Sequence, residues 1–123
     1  MTRRLLIAAS LIAAALPAMP SAAHHGWAWA TNEEFQLSGV VKRVRHGNPH
    51  GEMLLGTPQG DWTVETGQPW RNEQAGLTHD MMKAGIKLTI HGHRSARKNE
   101  RLMKAERFVI AGKSYNLYPE RPS

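Results

Sequence analysis

The chain has 123 residues, with 16 Lys and Arg against 10 Asp and Glu, a formal net charge of +6 and no cysteine. That length carries one domain with a modest core. The absence of cysteine excludes a disulfide framework and any thiolate metal site. Acids are interspersed among the bases, so the charge is too weak and too mixed to argue for nucleic acid as a partner.

The first 23 residues, "MTRRLLIAASLIAAALPAMPSAA", have the three parts of an export signal. Arg3 and Arg4 supply the positive end, and Leu5 to Leu16 form the apolar run. That run is too short to cross a bilayer, which takes about 20 residues. Pro17 and Pro20 break the helix ahead of the small residues Ser21, Ala22 and Ala23. Cleavage after Ala23 puts small side chains one and three positions before the cut. The expected mature chain is a single soluble periplasmic domain, 24–123, beginning at His24. It has no membrane span and, with Arg3 and Arg4 removed, a charge of +4.

"FQLSGVVKRVRH", Phe35 to His46, is rich in β-branched residues and reads as a strand. "GNPH" follows as turn chemistry. "GEMLLGT" is a second strand, "PQGD" a tight turn, and "WTVET" a third strand with Trp62 and Val64 on one face. Between Pro69 and Lys83 the residues suit one or two short helical turns, interrupted at Gly76. "IKLTIHGHRS" resumes a period of two, with Ile86, Leu88 and Ile90 on one face. "LMKAERFVIAGKSYNLY" closes the set, with a turn at Gly112. Three strands, a short helix and two strands predict an all-β, mainly antiparallel fold: a small five-stranded OB-like barrel with one short helix between strands 3 and 4. An open meander sheet covered by the helix is the alternative. The basic run "HRSARKNERLMK" reads as a solvated hairpin loop.

Seven histidines are many for so short a chain, and six of them come in pairs. His24 and His25 stand at the expected terminus, His46 and His50 bracket the first hairpin, and His91 and His93 share one strand face. His79 stands alone and reads as a surface residue. A free amino-terminal histidine offers its α-amine and its ring Nδ1 to one metal ion. With His50 as a third nitrogen ligand, that set favours Cu(II). The candidate metal residues are therefore His24, His25 and His50, in a carrier, buffer or accessory role. The alternative is a non-catalytic barrel that binds a protein or small ligand, with the histidines incidental. His91 and His93 read as ordinary barrel residues. Of Met81 and Met82, at least one should enter the core. Trp70 is expected to plug a barrel end, with Arg71 beside it to stack or to pair with a carboxylate such as Glu65. Trp27 and Trp29 should anchor the terminal segment on the barrel. No nucleophile with a neighbouring base, Gly-rich phosphate loop or carboxylate pair is legible, so no enzymatic activity is expected.

Several stretches together, "HHGWAW" after the signal, "LSGVVKRVRHGNPHG", "WTVETGQPWRN", "GHRS" and "MKAER", resemble the small exported bacterial proteins grouped as domain of unknown function 6152. The matching motif positions are His24, His25, Asn48, Pro49, His50, Trp70 and Arg71. The resemblance implies a periplasmic β-barrel-like domain and no activity.

The signal reading has a direct test. Intact-mass measurement of the exported protein should give a chain starting at His24. A chain that retains Met1, or starts well past His25, would remove the chelating terminus.

Overall fold

In the computed structural model, residues 26–121 are described; the expected export signal, His24 and His25 lie outside them. The strands are β1 (Phe35–Arg45), β2 (Glu52–Thr57), β3 (Gly60–Glu65), β4 (Lys87–Arg94), β5 (Leu102–Ile110) and β6 (Lys113–Asn116). Helix α1 (Pro69–Ala75) and a 3-10 turn (His79–Met82) stand between β3 and β4. Both helical pieces fall inside the stretch that the sequence reserved for them.

β1 serves two neighbours. Its first half, Phe35 to Val40, pairs antiparallel with β4, and its second half, Val40 to Arg45, pairs with β2. The register with β2 shifts between Val41 and Arg43. Such an irregularity bends a strand and raises its twist, which lets one strand turn a barrel corner. β2 and β3 form a tight hairpin, and β4 pairs antiparallel with β5. The ring closes where Thr63 to Glu65 of β3 run parallel to Leu102 to Lys104 of β5. That pairing settles the architecture as a closed five-stranded barrel rather than an open meander. β6 folds back on the end of β5 as an extra hairpin strand.

Alternation supplies the interior. Val41, Met53, Leu55, Val64, Leu88, Ile90, Met103 and Phe108 are buried, one or two from each barrel strand. Trp62 joins them, as its shared face with Val64 predicts. The helical segment adds Leu77 and Met82, and Met81 packs half-buried beside them. The expected plug, Trp70, is instead 53% exposed. Seven residues make barely two helical turns, and α1 buries none of its own side chains. The chain meets the core only after Gly76 ends the helix in a left-handed conformation (φ 81°).

Two close approaches fix the sheet. The β5–β6 turn puts both Ala111 (φ 49°) and Gly112 (φ 78°) in the left-handed region, as a two-residue hairpin requires. Gly92 lies where β4 crosses β5 at a register shift, and any Cβ there would run into the backbone carbonyl of Lys104 and the Met103 side chain. Gly92→Ala should therefore destabilise the protein by about 1–3 kcal/mol, read as a lowered denaturant midpoint. An unchanged midpoint would mean that the two strands are not held this closely.

Candidate functional site

The loop between β1 and β2 carries His46 and His50 four residues apart, with Asn48–Pro49 in the cis form between them. The two histidines face different surroundings. His50 borders a cleft of about 330 Å³ shared with Arg45, Asn48, Glu52 and Glu65. Its Nε2 lies 3.1 Å from Oε1 of Glu65, and Nζ of Lys104 bonds the same oxygen at 2.7 Å. Glu65 and Lys104 are both buried, at 6% and 4% exposure.

The barrel closure brings this pair together, because the parallel register sets Glu65 directly opposite Lys104. Lys104 belongs to the basic run expected to be solvated. The loop part of that run is exposed, but its last residue is strand and its ammonium is buried against Glu65. Arg71 was expected to stack or to pair with a carboxylate such as Glu65; it does both, but its carboxylate is Glu120. It pairs with Glu120 at 2.8 Å and donates to the carbonyl of Leu117, with its guanidinium between the rings of Trp70 and Tyr118. That stacking holds Trp70 on the outside.

Above Lys104 sits Trp27. The Lys104 ammonium is 5.1 Å from the Trp27 ring centroid and the Arg121 guanidinium 3.9 Å, both within cation–π range. Tyr118 and His93 meet the same ring edge-on, at 4.9 and 5.2 Å. The following residues are pinned to the barrel. Thr31 N–H donates to the Arg94 carbonyl, Ala96 N–H donates to that of Trp29, and Ala30 bridges Ser95. The anchoring role read for Trp27 and Trp29 holds.

His93 is committed to structure. Its Nδ1 lies 2.8 Å from the Thr31 carbonyl and its Nε2 3.0 Å from Oε2 of Glu106, itself 1% exposed. With Nδ1 donating to the carbonyl, a proton must lie between Nε2 and the carboxylate. His91 turns to Glu34 at 3.6 Å, and Glu34 also pairs with Arg107 at 2.6 Å. The two histidines share a strand face, as period two requires, but each has its own carboxylate. Nothing in the sequence marked Glu34 or Glu106 as their partners.

His79 does not stand alone. Its ring stacks on His46 with centroids 3.6 Å apart and planes within 10°. His46 is held below the ordinary imidazole value, first by partial burial and then by the charge of His79. Among the described residues no group of three His, Asp or Glu side chains is disposed to hold a metal ion. Of the three proposed ligands, only His50 is described.

The closed ring, its β1–β2–β3–β5–β4 circuit and the helical link after β3 define the class: a small OB-type β-barrel. The chain belongs to the family of unknown function DUF6152, which matches residues 11–103 and so spans His24, His25 and the Asn-Pro-His loop. No curated protein sequence matches it. Among solved structures, similarity is found to a ZRD-deleted mutant of TiaS in complex with agmatine, at 14% identity and TM-score 0.52 over 69% of this chain. A complex of TiaS with a transfer RNA and ATP is similar at 15% identity and TM-score 0.47 over 63% of this chain. The chain spans 26% and 18% of those proteins' lengths, and at such identity the likeness is one of fold. No described helix is long and apolar enough to cross a membrane.

The His46–His79 stack has a measurable consequence. A lowered histidine value favours the neutral ring in the folded state. Its contribution to stability is therefore full above the unfolded value of 6.5 and is lost as pH falls through the folded one. Followed by NMR, His46 should titrate below 6.5. In His79→Ala it should move back up toward that value, and identical curves in both proteins would show that the rings do not interact.

Proposed function

We propose that the mature protein is a periplasmic metal-binding protein that takes Cu(II) through the α-amine and ring of His24 with His50, and with His25 alongside. The observation that supports this most is the docking of Trp27. It lies three positions along the chain from His24, a reach of about 10 Å. The ring of Trp27 lies against Lys104, Lys104 bonds Glu65, and Glu65 meets His50. The Trp27 ring is thus one lysine and one carboxylate away from His50, and the proposal brings the terminus to that cleft.

The surroundings of His50 suit the role. Ligating histidines commonly present one ring nitrogen to the metal while a carboxylate engages the other, which fixes ring orientation and tautomer. Glu65 lies 3.1 Å from Nε2 of His50, a carboxylate neighbour of the kind that orients a ligating ring. Lys104 balances the charge of Glu65, so the pair adds no net positive field against a cation. An all-nitrogen set then selects Cu(II) over Zn(II) on intrinsic affinity.

Metal titration of protein purified from the periplasm with its native terminus tests the reading. Cu(II) should bind more tightly than Zn(II), His50→Ala should weaken Cu(II) binding by about tenfold or more, and His79→Ala should leave it unchanged. One extra residue ahead of His24 should weaken binding although no side chain is lost, because it moves the amine away from the ring. Equal affinity for native and extended termini would overturn the chelate.

A further inference from the structure

A second cavity, of about 340 Å³, opens on the other side of the β1–β2 loop, between that loop and the helical segment. Its volume falls in the range of small-molecule sites. The stacked His46 and His79 stand on its wall, with Glu73, Thr66, Asn72 and Leu77. The Cu(II) reading uses none of these residues.

Apart from the imidazole of His79, the polar groups of that wall offer acceptors. None of the described lysines and arginines lines the cavity, whereas Glu73 contributes a carboxylate that has no ion pair among the described residues. His46 favours its neutral form and so offers a ring acceptor rather than a cation. Thr66 is 2% exposed, and its hydroxyl makes no hydrogen bond with any described residue. Asn72 lends its Nδ2 to the Gly67 carbonyl, while its Oδ1 is buried without a hydrogen-bond partner. Leu77, 3% exposed, gives an apolar floor. In a basic protein, a pocket rich in acceptors and free of lysine and arginine selects for positive charge. The ring planes of His46 and His79 lie within 10° of each other, so their in-plane lone pairs run side by side and do not converge on one ion. That geometry suits a ligand bearing several N–H donors better than a bare metal.

We propose that this cavity binds a small organic cation, a protonated primary amine on a short hydrocarbon stem, with the ammonium directed to Glu73, His46 and Thr66 and the stem against Leu77.

The probes are putrescine, its neutral analogue 1,4-butanediol and the dianion succinate, each titrated into the isotope-labelled mature protein and followed by NMR. Putrescine should shift Thr66, Asn72, Leu77 and the His46 ring in one saturable process, while butanediol and succinate leave them in place. Glu73→Gln, an exposed substitution on α1, should weaken putrescine by about tenfold, the scale of one charge-assisted contact. Glu33→Gln, an exposed acid away from the cavity, should change nothing. Equal shifts from butanediol, an unchanged affinity in Glu73→Gln, shifts confined to other surfaces, or no shift at all would each overturn the proposal. Paramagnetic broadening by Cu(II) alone that starts at His46 and His79 would do so too, by making the stack a metal site. Loss of Cu(II) binding at the amino terminus would leave this result untouched, so the two readings fail separately.

Discussion

Glu65 and Lys104 meet where the barrel closes, and the seam there is only three residue pairs long and parallel. Parallel pairing is slightly less stable per residue than antiparallel pairing, so backbone bonds alone hold this joint weakly. The charges set its alignment. A slip of one residue would turn the slipped strand's side chain to the opposite face and strand two buried charges without partners. Breaking such a pair by removing one partner costs about 3–5 kcal/mol, more than one residue's worth of pairing could restore. The same pair positions everything above it, with His50 on its Glu65 side and the Trp27 ring on its Lys104 side.

The β1–β2 loop is the other organising element. It is short, and the cis Asn48–Pro49 bond sits in its middle. The two histidines it carries, four residues apart, open onto two separate cavities, one governed by the Glu65–Lys104 pair and one by the helical segment. A reading of sequence spacing alone treats them as one pair bracketing a hairpin. In three dimensions they belong to different chemistries.

Periodicity made most of the barrel legible. Trp62 with Val64, and Leu88 with Ile90, enter the core as alternation demands, and the turn at Gly112 follows from its backbone freedom. The errors arose where a side chain's fate depends on a distant partner. Trp70 is the bulkiest apolar residue of its segment, yet Arg71 and the remote Tyr118 hold it outside while the smaller Leu77 goes in. Lys104 looked like the end of a solvated run because Glu65, 39 residues away, is invisible to local pattern. The His46–His79 stack joins two elements that no spacing rule connects. The carboxylate beside His50 was not legible, because Glu65 comes from another strand.

Trp27 stands near one end of the described residues and Tyr118 and Arg121 near the other, and they pack face and edge against one another. The two ends thus form a clasp, and neither covers the barrel independently. Amide exchange along the leading segment and along the tail should share one opening free energy, because loosening either removes the other's support. A change in the tail at Tyr118 or Arg121 would then be felt at the Trp27 ring and in the segment that follows it. The leading segment at Trp27 thus keeps its place only while the turn that carries Tyr118 and Arg121 keeps its own.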